Sequence, residues 1–412
     1  MHILYTLLTN YIEMSMALTQ QFTMNELRVL RSVYENGPIS RVRLASSLKL
    51  TRAGVGKIIH RLVDASLILE AGKGRSEAGR GRREVLLVIN SRAGSIVAVH
   101  IALRYATFGL VNLNGTILFK ESFSYPMGSS PELVLTRLAN RLSALLEKQA
   151  IDRSKVYGIG LAIPGIVHGE QGLIVEGSLK GWDNFPLRHF FDKRFDFPFF
   201  VENDVKTLTL GEFQFGTGRH VNDMVCLWLE DGIGAGVMVN GHLLRGFTNS
   251  AGEVGFSEFI LEQPVKNSIL FNGTPGCWGD VLCFTNIRDT IGRGIDHGWQ
   301  SDLTRNSTIP KFIRAVESRD PLGLYICQLL SEVVVIVVRN LIYSFNPKLF
   351  LLSGPLFSQL PHLTADITLH LGDAQLRSPI EAVELKTSVL GEDAVTIGCA
   401  ALVLEKLLQM QG

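Results

Sequence analysis

The chain has 412 residues, 46% of them hydrophobic and 19% charged, with a formal net charge of +1. That length holds two or three domains with real cores, and the balance excludes a disordered chain. The near-neutral total hides an asymmetry. Residues 1–92 carry 14 Lys and Arg against 7 Asp and Glu, a net +7, and the remainder is net negative. A basic first fifth on an acidic body points to an anionic partner for the N-terminal part alone. The five cysteines, Cys226, Cys277, Cys283, Cys327 and Cys399, are scattered and without CxxC spacing. They read as reduced thiols of a cytoplasmic protein, not as a disulfide framework.

The opening MHILYTLLTNYIEM has neither a Lys/Arg-rich start nor a small-residue cleavage site. It reads as a helix that packs on something, not as a signal peptide. Residues 23–66 follow as three helices. The first carries Leu27, Leu30, Val33 and Tyr34 on one face and stops at Asn36-Gly37-Pro38. Ser40 caps the second, which is expected to bury Val42, Ala45 and Leu48 or their neighbours. The third starts at Thr51 and places Val55, Ile58, Ile59 and Leu62 at i, i+3, i+4, i+7. Only Lys49 and Leu50 separate the second helix from the Thr51 cap, the spacing of a helix-turn-helix. Two apolar runs, Leu67–Leu69 and Val85–Val88, then bracket a Gly- and Arg-rich tip and form a wing, and Asn90-Ser91-Arg92 is the linker.

Thr51, Arg52, Gly54 and Lys57 lie at the start of the third helix, off its apolar stripe. In a helix-turn-helix those positions meet base edges in the major groove. Arg pairs in bidentate fashion with guanine, while Lys and Thr reach phosphate or bases. Gly54 and Gly56 each cost a helix roughly 1 kcal/mol relative to Ala, so they need a reason. Close backbone approach to DNA is one, and tight packing on the first helix is another. In the wing, Lys73, Arg75, Arg80, Arg82 and Arg83 are placed to neutralise phosphates or enter a minor groove. The alternative is a solvated basic loop beside a small structural bundle.

From Ile96 the pattern changes to alternating strands and helices. Three short strands come first, with a hairpin turn at Asn114-Gly115. Ser130-Pro131-Glu132 starts a helix with Leu135, Leu138, Leu142 and Leu145 on one face. The buried strand VYGIGLAI ends at Pro164-Gly165. Later, MVCLWLEDGIGAGVMVNGHLLRG repeats the opening design, with Asn240-Gly241 as its turn. The two halves look duplicated. A long helix over about 321–345, the strand KLFLLSG and a terminal helix follow. The Val333–Val338 run is too short to span a bilayer and fits a buried helix, so no membrane is expected.

Several stretches of the body, in order, resemble the ROK family (repressors, open reading frames and sugar kinases). They are GIGLAIPGIV, GWDNFPL, VENDVKTLTLGEFQFGTGR, DGIGAGVMVNGHLLRG and AGEVGF. The resemblance is close over about 155–256 and looser to 412, and the winged helix resembles the repressor branch. It implies an α/β fold: an N-terminal winged helix-turn-helix plus a duplicated, actin-like (RNase H-like) two-lobed body. The expected domains are 1–92 for DNA binding and 93–412 for the body. Lobe 1 would take about 93–210 with the C-terminal helix from about 390, and lobe 2 about 211–389.

Family kinases bind ATP through a turn close to Asp-x-Gly-Gly-Thr. Here that stretch, His100-Ile101-Ala102-Leu103-Arg104-Tyr105, has no glycine and no acid. The second phosphate turn is Glu230-Asp231-Gly232-Ile233-Gly234, whose two carboxylates repel a triphosphate, and the adenosine-side Gly-Gly is Gly354-Pro355. No catalytic residue and no cofactor are therefore expected. The resemblance makes Asn203, Asp204 and Glu253 ligands of sugar hydroxyls, with Ser178, Gly165 and Asn184 behind them. The Asn203-Asp204 pair is also suited to capping the helix that follows. The family's structural zinc uses one His and three Cys. Their positions hold Phe256, Leu270, Asn272 and Cys277, so one soft ligand survives and no metal is expected. Gly279 replaces a family Glu, with Asp280 one residue later, and Phe256 is expected to give the pocket an apolar wall.

The implied function is transcriptional regulation, as a repressor, of carbohydrate-related genes. Its partners would be a pseudo-palindromic double-stranded operator, a sugar or sugar-derived ligand, and a second copy in a homodimer or homotetramer. One alternative is a body that senses a protein partner or non-sugar ligand; the other is an ATP-dependent sugar kinase.

Overall fold

Short polar side chains set where the helices of this chain begin. Thr23 and Glu26 form a reciprocal capping box at α1 (Met24–Asn36). After the two-residue strand β1 (Ile39–Ser40), the Ser40 hydroxyl accepts the Arg43 N–H at the start of α2 (Arg41–Leu48). Thr51 does the same for Gly54 at α3 (Arg52–Asp64). Between them Lys49 takes the left-handed conformation, φ 55°, which ends α2 and reverses the chain. Leu27, Leu30, Val33, Leu44, Val55, Ile59 and Leu62 meet in one core. Val42 is corrected: it stands 42% exposed, and Leu44 takes the buried place beside Ala45 while Leu48 is only partly covered. The structure describes residues 22–73, 84–258, 268–271 and 276–409, so the helix expected at the N-terminus lies outside the described residues.

The wing strands β2 (Ile68–Lys73) and β3 (Val85–Ile89) pair antiparallel, and β1 adds to the far side of β3. Next come β4 (Ser95–Ile101), β5 (Tyr105–Asn112), β6 (Ile117–Ser124), α4 (Pro131–Lys148), β7 (Val156–Ile163), β8 (Ile166–His168), β9 (Leu173–Glu176), α5 (Leu187–Asp192) and β10 (Phe199–Asn203). Their main sheet has the order β10-β7-β4-β5-β6, with β4 parallel to β7, β7 parallel to β10, and the β4–β5–β6 side antiparallel.

The second unit, Val205–Val395, takes most of α6 (Asp204–Phe215). It continues through β11 (Met224–Leu229), β12 (Ile233–Val239), β13 (His242–Leu243), α7 (Trp278–Val281), α8 (Phe284–Asp296), α9 (Ile309–Glu317) and α10 (Pro321–Phe345). It closes with β14 (Leu349–Ser353), α11 (Pro355–Gln359), α12 (Pro361–Leu371), α13 (Ser378–Ala382) and β15 (Glu384–Thr387). The sheet order β13-β12-β11-β14-β15, antiparallel on one side and parallel on the other, reproduces the first sheet strand for strand. The duplication of the two halves is a duplication of topology. At the β12–β13 turn, Asn240 and Gly241 have φ 52° and 77°, the pair of positive values that a two-residue I′ hairpin requires. Among the described residues α10 alone is long and apolar enough to cross a membrane, but 67% of its apolar window is buried inside the protein. It is the core helix of this unit, and each fully buried Val or Leu on it contributes roughly 1.5–3 kcal/mol of hydrophobic free energy.

The last helix, α14 (Ala394–Gln409), rejoins the first unit from Thr396 onward. It lies against β7 so closely that a Cβ on Gly160 would come within 2.3 Å of the Cys399 carbonyl oxygen. The Cys399 thiol donates to the Val99 carbonyl of β4 at 3.3 Å. Further along, Leu404, Leu407 and Leu408 line a small apolar cavity with Leu30 and Tyr34 of α1 and Tyr157 of β7. The winged helix is thus seated on the first sheet through apolar side chains of the C-terminal helix.

Candidate DNA-binding face and ligand site

The outer face of α3 is built by subtraction. Val55, Ile59 and Leu62 point inward and are fully buried, which leaves Thr51, Arg52, Ala53, Lys57 and His60 exposed on the other side. The Thr51 oxygen accepts the Gly54 N–H at 3.1 Å, which leaves its hydroxyl hydrogen and one lone pair for other partners. Arg61 leaves this face: it pairs with Glu26 of α1 at 3.0 Å and lies over the Phe22 ring, fixing α3 against α1. Arg28 donates to the Leu48 carbonyl at 3.3 Å and secures the end of α2.

The two explanations of the helix glycines now separate. A Cβ on Gly56 would meet nothing within 4 Å, and one on Gly54 would meet only the Thr51 oxygen of its own cap. Neither glycine is required by packing on α1. Lys73 is the last residue of β2, and Arg75, Arg80, Arg82 and Arg83 lie outside the described residues.

The candidate sugar residues fall into two groups. In the first unit, Gly165 follows β7 with φ 110°, and a Cβ there would sit 2.5 Å from the Glu176 carbonyl. Both facts demand glycine. Asn203 ends the neighbouring strand β10 and donates its side-chain amide to the Gly165 carbonyl at 3.0 Å, while its own N–H goes to Glu202 at 3.0 Å. Asn203 and Asp204 are buried, and Asp204 is the first residue of α6, not the residue before it. Ser178 is exposed beside Gly177, whose neighbours are Pro164 and Gly165. Asn184 is exposed in a left-handed turn, φ 59°, and donates its N–H to the Ile174 carbonyl at 2.7 Å. The structure brings Asn203 and Gly165 into direct contact and hangs Ser178 on the same turn; Asn184 stands apart on the β9 side.

In the second unit Glu253 is half-buried on the turn after β13. Burial pushes its carboxyl above the ordinary 4.5, and the charge of Lys206 opposes that rise. Lys206 is only 1% exposed and donates to the Asn249 carbonyl at 2.6 Å. Sequence reading missed Lys206. Its signal was a lone cation in the Thr- and Leu-rich helix VKTLTLGEF, two residues after Asp204. Phe256, expected to give the pocket an apolar wall, is 73% exposed.

The turn that replaces the first phosphate loop is closed on itself. The Ala102 N–H donates to the Tyr105 carbonyl at 2.9 Å, and the Tyr125 N–H and hydroxyl take the carbonyls of Arg104 and Ala102. At the second loop the Glu230 N–H is turned to the Gly232 carbonyl at 2.9 Å.

The ROK family pattern matches residues 96–406, and a MarR family pattern matches residues 22–69. The chain belongs to the ROK family. It is 28% identical over 399 residues to the xylose repressor of Caldicellulosiruptor bescii, covering 93% of this chain and 96% of that one. It is 26% identical over 339 residues to the DNA-binding transcriptional dual regulator NagC of Escherichia coli K12, 80% of each. Among solved structures, a ROK family transcriptional regulator that is a homologue of the E. coli MLC protein superposes with a TM-score of 0.78. It is 27% identical and covers 94% of this chain and 98% of that one. A ROK family glucokinase from Streptomyces griseus shares the fold of the body, with a TM-score of 0.62 at 20% identity over 75% of this chain and 99% of that one. The match to the regulators takes in the winged helix as well as the ROK body, which gives this ROK protein a DNA-reading head.

Proposed function

We propose that this ROK protein is a cytoplasmic transcriptional repressor of carbohydrate-related genes, released from its operator when a sugar binds the body. One observation carries the reading: the exposed Arg52 and Lys57 face of α3 belongs to a helix-turn-helix seated on the ROK sheet by α14. A sugar that biases the arrangement of the body then biases the seat of the DNA-binding domain. Binding as a homodimer matches a pseudo-palindromic operator, and Arg52 reads a base while Lys57 and the basic wing tip hold phosphates. Asn203, Asp204 and Glu253 are the hydroxyl ligands, supported by Gly165, Ser178 and Asn184. The names of two relatives, a xylose repressor and an N-acetylglucosamine repressor, make xylose and N-acetylglucosamine the first sugars to try.

The protein is not proposed as an enzyme. Hydrogen-bonded closure at Ala102–Tyr105 and Glu230–Gly232 spends amides that a phosphate needs, and Asp231 adds a repelling charge. The test is fluorescence anisotropy on the promoter DNA of its own gene, with and without each sugar. Nanomolar binding that one sugar weakens at least tenfold supports the reading; sugar-dependent ATP turnover abolished by Asp204→Asn would overturn it. A second reading, in which the body answers a protein partner, rests on Phe247 and Phe256, two large apolar side chains left in solvent on either side of Glu253 in the sequence. Calorimetry that finds no heat with any sugar would favour it.

A further inference from the structure

One guanidinium ties together the segment where a ROK zinc site would lie. Arg293, in the last turn of α8, donates Nε to the Ile269 carbonyl at 2.5 Å. Its Nη2 reaches the Leu270 carbonyl at 3.2 Å, Asn286 Oδ1 at 2.8 Å and Thr290 Oγ1 at 2.7 Å. Asn286, in the first turn of the same helix, sends its Nδ2 to the carbonyls of Leu270 at 3.1 Å and Val281 at 3.0 Å. Two successive carbonyls of the 268–271 turn are thereby held by one planar fork, a geometry that Arg supplies and Lys does not. The Leu270 side chain is 1% exposed in the core of the unit, so the turn is fixed by main chain and side chain together. On its other side the same segment meets the turn after Glu253: Trp278 donates its N–H to the Ser257 carbonyl at 3.2 Å, and Glu258 bridges to Cys277.

The donor set here does not fit a zinc ion. Phe256 and Leu270 offer no lone pair, and the Cys277 thiol is turned to Asp280 Oδ2 at 3.3 Å. Among the described residues no three His, Cys, Asp or Glu side chains cluster closely enough to share a metal. Asn272 lies outside the described residues. We propose that Arg293 and Asn286 form a metal-free clip, which holds the 268–271 turn and the Val281 carbonyl to α8 by hydrogen bonds where a ROK protein with a full donor set would use a metal. The clip stands on its own geometry and does not depend on what the body binds.

Cys283 reports on it. This residue caps α8 by accepting the Asn286 N–H at 3.5 Å, is 9% exposed, and burial raises its thiol pKa, so it reacts slowly while the clip is closed. Purified full-length protein is treated with N-ethylmaleimide, and labelling of each cysteine is followed by mass spectrometry. In the wild type, 1,10-phenanthroline is expected to change neither the thermal midpoint nor Cys283 labelling. Arg293→Met is expected to raise Cys283 labelling at least tenfold while buried Cys226, Cys327 and Cys399 keep their wild-type rates. Arg293→Lys is expected to fall in between. If Arg293→Met does not accumulate as folded protein, Asn286→Ala removes the other half of the clip and carries the same expectation. Chelator-induced labelling, or one equivalent of zinc in the purified protein, overturns the proposal. So does Cys283 labelling that stays unchanged in the variants, or rises only in step with the other three thiols.

Discussion

The DNA-reading face and the body handle charge in opposite ways. On α3, Arg52 and Lys57 stand exposed to water. In the body, Lys206 is sealed off beside Asn249 and Glu253, and His100 is buried within β4. An exposed cation acts at long range, is screened by salt and contributes little to stability. A buried one is costly to desolvate and tolerates no loss of its partner. Substitutions in the two regions should therefore fail in different assays: DNA binding for the first, folding for the second.

The largest effect is expected from Lys206→Met. It strands the Asn249 carbonyl and raises Glu253 further, at a cost of about 3 kcal/mol in urea unfolding. A carboxyl raised above its unfolded value makes stability fall as pH rises from 4.5, and this variant should lengthen that falling limb. An unchanged urea midpoint would end the description of Lys206 as a buried structural cation.

His100 is held neutral by burial, with its pKa lowered from 6.5 to about 4. The unfolded chain takes up the proton first, so stability is lost as pH falls from 6.5 toward 4, on the order of 3 kcal/mol in all. His100→Leu should flatten that acid limb, as read by the thermal midpoint at stepped pH values. A limb as steep as in the wild type would assign it to other groups.

On the DNA side, Arg52→Ala should cost about 1–3 kcal/mol of operator affinity and relax one base position, with the melting temperature unmoved. Lys57→Ala should weaken all sequences alike and lower the slope of log K against log salt by about 1. Melting that shifts with either variant would show that these side chains are not the free face described.

The smallest effect is also the sharpest. Gly56→Ala introduces a methyl into open space and should stabilise α3 by up to about 1 kcal/mol. If close approach to DNA is the reason for the glycine, the same variant should bind operator more weakly. Equal or tighter binding would leave Gly56 without a functional reason.

Elements whose ends are written in short-range chemistry were legible in the sequence. Ser40, Thr51 and Ser130 start helices where their residue types say so, and Asn240-Gly241 turns a hairpin with the backbone angles that pair demands. What depends on a distant partner was not. β1 is two residues long and exists because Leu86 and Leu87 of β3 offer it an edge. Val42 and Leu44 both suit an apolar stripe, and only the packing of α2 decides that Leu44 goes inside. Asn203, Gly165 and Glu253 were singled out through the family resemblance, and of these the structure joins Asn203 to Gly165. Lys206 and the Arg293–Asn286 clip were not, since the partners that fix them to distant segments are backbone carbonyls, which no side-chain motif announces.

The seat of the DNA-binding domain has a consequence for how the protein is made. Cys399 of α14 meets Val99 across 300 residues of chain, and the leucines that follow it cover Leu30 and Tyr34. A ribosome therefore finishes the head early and supplies its seat late. Throughout that interval the nascent chain carries a folded reader of DNA with an apolar underside open to water, the kind of surface that chaperones hold and that truncated products use to aggregate.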